Sequence, residues 1–538
     1  MRRFFLTKID SLALCLVLLV SLALRLWGSD FGLPAYTRYH PDEHALVERA
    51  AQILWTGDWN LHRFNYPPFY AYLNTIADSL YFLYGVTQNL WEYLPTFVVP
   101  NYYQVGRWLT ACFGTLTILV IYLVGRQLWN RRTGLLAALL LGGNYLHIIH
   151  SHYATFDIMV GFLAALTLLF SELIRTRQQA RWYFLAGLCA GLAGATKYNG
   201  AVVLVLPLLA HLLATPWGEW GWLNSRLGAT IGGFLLGFFG GNPFALGNLP
   251  DFLTGLATVL HHYGTAQPGF EGLGNWRWYP AVFLTSADAL WVIAGTLGLL
   301  GLAWKEWRKA LLLLSFPLIY YLLVSRFVVR FERNMVPLLP FLALGGGWLV
   351  GRMQEAGRRM QEAGSRRKEA RGKLLTFFFW PLTPCFLLLA LCLLLLALPL
   401  TAGISFDRIL SRTDHREIAG RWVEENVAPG SKIAIEHYAI PFDYDRYQVE
   451  DVLRISNHDL DWYRQQGFDL LIVSDGVWPL LRRQPEAYGE MLSRYDDLIR
   501  GCRLLAEFVP EPPALVVAGY PTVAVYHFAP VRIYALSR

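Results

Sequence analysis

The stretch IDSLALCLVLLVSLALRLW, residues 9–27, and the hexapeptide Tyr39-His40-Pro41-Asp42-Glu43-His44 that follows it decide how this chain is read. A helix crossing a hydrocarbon core of about 30 Å needs roughly 20 apolar residues, and the first stretch supplies them. The second places two adjacent carboxylates between histidines just beyond the helix, so acidic chemistry is expected on the far surface of a bilayer.

Composition extends the same reading along the chain. Of 538 residues 55% are hydrophobic and only 16% charged, with 20 Trp, which a soluble globule of this length does not carry. The net charge of +7 comes from Lys and Arg gathered in short clusters between apolar runs. That is the pattern of topology-setting loops and argues against a nucleic-acid partner. Cys15, Cys112, Cys189, Cys385 and Cys392 fall in apolar runs and Cys502 stands alone in the C-terminal region, so no disulfide framework follows. Met1-Arg2-Arg3 and the Leu-rich run after it imitate a secretory signal. Arg25, Leu26 and Trp27 occupy the place of a small-residue cleavage site, so the segment reads as an uncleaved first helix.

Basic loops at 126–132, 175–181, 305–309 and 352–373 are separated by even numbers of apolar segments and are expected to be cytoplasmic. Candidate spans lie near 10–28, 104–125, 133–150, 157–174, 182–197, 200–215, 227–245, 280–302, 310–325, 334–351 and 374–402. The expected fold class is therefore a polytopic α-helical membrane protein of about eleven transmembrane helices, with its N-terminus inside and its C-terminus outside. Residues 182–195 are short, Gly-rich and followed at once by Lys197-Tyr198-Asn199-Gly200, which suits a hairpin reversing within the protein body beside a cavity. Three outer loops result, at 29–103, 150–157 and 242–279, with a short fourth around 326–334. The first is long enough for two surface helices, 42–55 and 68–84, the latter after Tyr66-Pro67-Pro68.

The cytoplasmic loop repeats Arg-Met-Gln-Glu-Ala-Gly at 352–357 and 359–364, two copies of a solvated helical connector rather than a coiled coil. From residue 405 the composition becomes mixed in charge with short apolar runs, marking a small soluble α/β domain, so the expected division is 1–403 and 404–538. Asp414 with Glu417 fits a capping box for a helix through Val427. Strands are expected at 432–436, 470–473 and 522–527, and helices at 459–466 and 486–500.

The charged residues outside the basic loops are the candidates for chemistry. Asp42 and Glu43 leave one helical turn in different directions, so one carboxylate is expected to do chemistry while the other orients or caps, with Asp42 the better base. Local sequence alone favours the plainer reading, in which both simply cap the helix. Asp157, in His150-Ser151-His152-Tyr153-Ala154-Thr155-Phe156-Asp157, either caps the fourth span or shapes a site with Asp42. Lys197, Arg330 and Arg333 fall near outer helix ends, where clustered cations are disfavoured unless an anion compensates them, and a phosphate group is the natural candidate. Arg326 is a weaker fourth member. His261-His262 and His40 with His44 are conceivable metal ligands without diagnostic spacing; no metal is required, although a divalent ion stays open as an alternative.

These residues together resemble the GT-C glycosyltransferases that use polyprenyl-phosphate sugars, specifically the protein mannosyltransferase and aminoarabinose lipid A transferase group. The carriers are His40-Pro41-Asp42-Glu43, Tyr66-Pro67-Pro68, Asp157, GLCAGLAGATKY at 187–198, and Arg333 with Pro337 and Pro340. The resemblance implies a GT-C-like fold and inverting transfer of a hexose or pentose from a lipid phosphate to an acceptor hydroxyl at the extracytoplasmic face of a bacterial-type plasma membrane. In that scheme Asp42 matches the catalytic aspartate, Glu43 its neighbour, and Tyr66, Asp157, Lys197, Arg330 and Arg333 line the substrate site. The C-terminal region carries no sugar-binding motif and no metal triad is reproduced. A diphosphate-linked glycan ligase or polymerase and a polytopic transporter or flippase are the alternatives. The acceptor, whether protein, lipid or glycan, is not encoded in any motif.

Overall fold

The computed structural model describes residues 2–35, 39–94, 97–215, 225–265, 269, 274–369, 383–437, 439–476, 478–510, 520 and 527–536. Helices occupy most of the described residues of the eleven expected spans, from Arg2–Leu26 to Thr383–Leu410. By length and composition, five helices among the described residues could each cross a membrane alone. The count becomes six if Asn275–Leu284 and Ala289–Lys305, which meet at a 117° bend, form one span. Several others are short because the chain breaks inside the expected span. Residues 133–150, for example, divide into Arg131–Gly142 and Tyr145–His150, with Asn144 capping the second by accepting the His147 N–H at 2.9 Å.

The Gly-rich segment forms the helix Ala180–Thr196, which ends at Lys197 because that residue is extended (φ −150°, ψ 126°). The chain continues through a 3₁₀ turn, Tyr198–Leu204, into Val205–Ala214. Ala180–Thr196 packs closely on Ser225–Gly241, and glycine is what permits it. A Cβ on Gly187 or Gly191 would lie 2.1 Å from the carbonyl oxygen of Thr230 or Phe234, and one on Gly233 or Gly237 would lie 2.3 Å from that of Phe184 or Leu188. Both helices thus carry a Gly-x-x-x-Gly face, the arrangement that lets backbones meet where lipid supplies no hydrophobic drive.

The long first loop contains the two expected helices, Pro41–Thr56 and Phe69–Thr87. Pro41 occupies the first turn, His40 is the N-cap, and Gly57 closes the C-terminus in the left-handed region (φ 70°). Thr75 Oγ1 ties the second helix to the first by donating to Ala50 O at 3.2 Å.

The C-terminal region holds a five-stranded sheet: β1 Lys432–Glu436, β2 Gln448–Val452, β3 Leu470–Ser474, β4 Cys502–Phe508 and β5 Val531–Leu536, in the order β2-β1-β3-β5-β4. β2, β1 and β3 run parallel, and β5 is antiparallel to both β3 and β4. The two central parallel strands are apolar on both faces: Ala434, Leu471 and Val473 enter one core, while Ile433, Ile435, Leu470 and Ile472 enter the other. The expected strand at 522–527 lies almost wholly outside the described residues. Helices His415–Asn426, Leu460–Gln465 and Pro485–Arg500 lie close to their expected positions. Asp414 caps the first of these by accepting the Arg416 N–H at 2.8 Å. The helix Leu339–Glu369 carries both copies of the Arg-Met-Gln-Glu-Ala-Gly repeat, and residues 370–382 fall outside the described set. Of the cysteines described, Cys15, Cys112, Cys189, Cys392 and Cys502 are all unbridged.

Candidate active site

Asp42 stands in the first turn of Pro41–Thr56, where the helix dipole favours a negative charge. His40 Nδ1 accepts the Asp42 N–H at 3.1 Å, fixing the direction in which the carboxylate leaves the backbone. Each carboxylate oxygen has a partner: Tyr66 donates to Oδ1 at 3.2 Å, and Arg333 Nη2 stands 2.9 Å from Oδ2. Tyr66 is itself held by Arg49, which donates to Tyr66 O at 3.1 Å and to Asn65 Oδ1 at 2.7 Å. Burial alone would raise the Asp42 pKa, but Arg333, then His40, Lys197 and the Tyr66 hydroxyl outweigh it and hold the carboxyl below its ordinary range. The Asp42 charge and burial push the Tyr66 phenol upward, so it stays protonated and donates. Burial lowers His40 to about 3, leaving a neutral ring able to accept.

A second ion pair lies beside the first. Asp157 opens the helix Asp157–Arg177 and is fully buried; Lys197 Nζ donates to its Oδ1 at 2.8 Å and to Asn334 Oδ1 at 3.2 Å. Asn334 in turn donates to Tyr279 OH at 3.2 Å. Arg333 and Asn334 are consecutive in the 3₁₀ turn Glu332–Leu338, so one turn of chain connects the two pairs. Phe156 completes the link, with its ring 5.9 Å from that of Tyr66 and 5.0 Å from Lys197 Nζ. The structure therefore brings Asp42, Tyr66, Asp157, Lys197 and Arg333 into one cluster.

Glu43 points elsewhere, as two neighbours on one helical turn must. It is fully buried and forms a two-pronged pair with Arg107, at 2.8 and 3.1 Å, and it accepts the Ala154 N–H at 2.9 Å. Arg107 also donates to the carbonyls of Ser29 and Phe31 and lies 3.6 Å from the Phe31 ring centroid. Sequence reasoning missed Arg107, although a lone charge inside an apolar span was the available signal. Asn334 was missed as well, and an asparagine beside an arginine offers no such signal. Arg330 is half-buried, with its guanidinium 5.4 Å from the Trp278 ring centroid. His261 and His262 are exposed at the end of Leu249–Gly264, with His262 in electrostatic reach of Asp42 and Arg333. Among the described residues no group of three His, Cys, Asp or Glu is arranged to hold a metal ion.

A base-competent carboxylate beside two buried cations is the equipment for moving a proton at one end of a reacting centre while stabilising an anion at the other. Residues 96–242, which contain Arg107, Asp157 and Lys197, match the family described as dolichyl-phosphate-mannose-protein mannosyltransferase. The apo oligosaccharyltransferase of Archaeoglobus fulgidus superposes over 92% of this chain and 73% of its own, with a TM-score of 0.52 at 13% identity. The chain shares the fold of that oligosaccharyltransferase. The same archaeal enzyme solved with an inhibitory peptide and a dolichol-phosphate gives a TM-score of 0.50 at 12% identity, over 93% and 73% of the two chains. ArnT from Cupriavidus metallidurans bound to undecaprenyl phosphate covers 98% of this chain and 97% of its own at 16% identity, with a TM-score of 0.48. No curated protein matches significantly by sequence. In this fold the matched segment and the long first loop meet at the Asp42 cluster.

Proposed function

We propose that this protein is an inverting glycosyltransferase that moves a sugar from a polyprenyl-phosphate donor to a hydroxyl acceptor at the extracytoplasmic face of a membrane. The observation that carries the reading is the placement of Asp42 against Arg333, one residue from the Asn334 that receives Lys197. Further support comes from the family match, whose description names a lipid-monophosphate sugar. The alternation of basic loops orients the chain, with its N-terminus cytoplasmic, residues 1–403 as the membrane-embedded transferase and 404–538 on the outer side.

Asp42 accepts the proton of the acceptor hydroxyl as its oxygen attacks the anomeric carbon, and the bond from that carbon to the phosphate oxygen breaks on the opposite side. Base assistance of this kind contributes about 10²–10⁴-fold. The donor phosphodiester carries one negative charge and leaves as a monoester that develops a second. Arg333 and Lys197 therefore favour the transition state over the bound donor, with Arg330 reaching the phosphate from the edge of the site. Tyr66 orients Asp42, Asp157 orients Lys197, and Glu43 fixes the helix that carries Asp42. The prenyl chain keeps the donor in the bilayer and delivers its phosphate at headgroup level.

The test uses purified protein in nanodiscs with labelled polyprenyl-monophosphate and polyprenyl-diphosphate sugars, each with and without a chelator. Transfer from a monophosphate donor that disappears in Asp42→Asn supports the reading. Transfer from diphosphates alone, or full activity of Asp42→Asn, overturns it.

A further inference from the structure

The C-terminal region reaches the catalytic segments through aromatic residues. The His527 ring is nearly parallel to those of Tyr39 and Tyr153, with centroids 5.7 Å and 5.8 Å away and interplanar angles of 15° and 20°. The Tyr153 hydroxyl and His527 Nε2 are hydrogen-bonded at 2.6 Å. Phe31 and Phe406 meet the same imidazole edge-on at 5.5 and 5.4 Å, and His527 is 3% exposed.

The two tyrosines gripped by this ring belong to the segments that build the site. Tyr39 immediately precedes His40, the residue that caps the Asp42 helix, and the Tyr153 ring lies 4.8 Å from that of His40. Ala154, next to Tyr153, donates its N–H to Glu43. A second part of the C-terminal region, the helix His415–Asn426, places the Arg416 guanidinium 3.9 Å from the Tyr39 ring centroid, with Asp414 holding Arg416 at 3.0 Å. His415 Nε2 is 2.8 Å from Ala529 O, which joins this helix to the strand of chain carrying His527.

A third anchor works on the same segment from its other end. Tyr520 donates to Asp288 Oδ2 at 2.7 Å, and the Asp288 carboxylate accepts the N–H groups of Tyr145 and Leu146 at 3.0 Å each. Tyr520 thus steadies the start of the stretch that leads through His150 and Tyr153 to Asp157. Three separate C-terminal contacts converge on residues 39–43 and 145–157, and those are the residues that present Asp42 and Asp157.

We propose that the C-terminal domain is a clasp for the catalytic segments and that His527 is its positioning residue, wedged against both Tyr39 and Tyr153 so that His40 and Asp42 keep their orientation. It acts through these neighbours and touches no reacting atom. Displacing a reacting group by about 1 Å can cost about 100-fold in rate, so loss of the wedge should act on turnover rather than on donor binding. The kinetic consequence rests on the proposed role of Asp42, whereas the ordering of residues 39–43 does not.

The experiment compares full-length wild type, His527→Ala, and the double variant His527→Phe/Tyr153→Phe. The double variant keeps a ring in the wedge and removes both hydrogen-bonding partners together, which is close to neutral when shape is conserved. In His527→Ala, deuterium uptake should rise at residues 39–48 and stay unchanged in Val99–Leu128, kcat should fall about 10–100-fold and the donor KM should stay within about twofold. The double variant should recover both readouts. Should His527→Ala fail to fold, Arg416→Ala removes a guanidinium from Tyr39 and carries the same comparison. Wild-type uptake at residues 39–48 in the folded variant overturns the proposal, as does a change confined to KM. If the wild type transfers no sugar at all, the uptake readout still decides the clasp while the glycosyltransferase reading fails.

Discussion

Arg333 Nη2 lies 2.9 Å from Asp42 Oδ2, so the cation best placed for a donor phosphate is also the partner of the carboxylate proposed as base. A phosphate entering the site competes for the same guanidinium. When Arg333 turns to it, Asp42 loses the charge that most depresses its pKa and gains an anion nearby, and both changes raise its basicity. Donor binding would therefore sharpen the base.

That exchange has a pH signature. The acid limb of kcat/KM reports the free enzyme, where Asp42 is held below its ordinary range, and the limb of kcat reports the donor-loaded state. The kcat limb should lie at the higher pH. Arg333→Gln should move the kcat/KM limb upward toward that of kcat while shifting kcat's own limb little. Coincident limbs in the wild type would reject the exchange.

The Glu43–Arg107 pair makes the opposite prediction, on stability. Both side chains are fully buried, so Glu43→Gln leaves a guanidinium without its counter-charge. Breaking a buried pair from one side costs about 3–5 kcal/mol, enough to lower the thermal midpoint in detergent clearly. Replacing both residues by methionine should recover much of that loss. A Glu43→Gln variant with the wild-type midpoint would show that the pair contributes little.

How much of this was readable from sequence depends on the kind of signal each residue carried. Apolar runs located the helices well, because burial in lipid is written into composition. The loop helices were legible through Pro41 and through Tyr66-Pro67-Pro68, which restrict the backbone locally. β2, with the sequence Gln448-Val449-Glu450-Asp451-Val452, is an edge strand exposed along most of its length and so lacked the apolar pattern that marked β1 and β3. β4, at the opposite edge, is apolar at Leu504, Leu505 and Ala506 in a row, without the alternation that marks a strand. Asp42, Asp157, Lys197 and Arg333 stood out as charges at helix ends, but their pairing did not. Which carboxylate meets which cation is set by tertiary packing, and nothing in local periodicity distinguishes Asp42–Arg333 from Asp42–Lys197.

The glycine faces of Ala180–Thr196 and Ser225–Gly241 allow a test with an internal control. A Cβ on Gly191 would lie 2.1 Å from Phe234 O and 2.7 Å from Phe238 N, both backbone atoms that cannot swing aside. Gly191→Ala should therefore separate the helices, lower the yield of folded protein and displace Lys197, which ends the same helix. Gly232, in the second helix, has nothing within 4 Å of such a Cβ. Gly232→Ala should be neutral or stabilising by up to about 1 kcal/mol, the ordinary helix preference for alanine. Equal behaviour of the two variants in thermal unfolding would refute the close-packing account.

Glu436 gives the C-terminal sheet a pH dependence of its own. It ends β1, and its two oxygens accept the N–H groups of Ile455 and Ser474 at 3.1 and 3.0 Å. Burial nevertheless outweighs those bonds and pushes its pKa from 4.5 up to about 7. A carboxyl raised in the folded state holds a proton that the unfolded chain has already released. Its contribution is therefore full below the unfolded pKa and is lost as pH rises through the folded one, at up to about 1.4 kcal/mol per pH unit between the two. The sheet should unfold more readily at pH 8 than at pH 5, as read by pulse proteolysis of the full chain at sites beyond residue 431. Glu436→Gln cannot ionise and keeps a side-chain oxygen for one of the two N–H groups, so it should flatten that dependence. If the wild-type sheet were instead more resistant at pH 8 and Glu436→Gln abolished the difference, the carboxyl would have to be ionised and stabilised in place, and burial would not be the dominant influence on it.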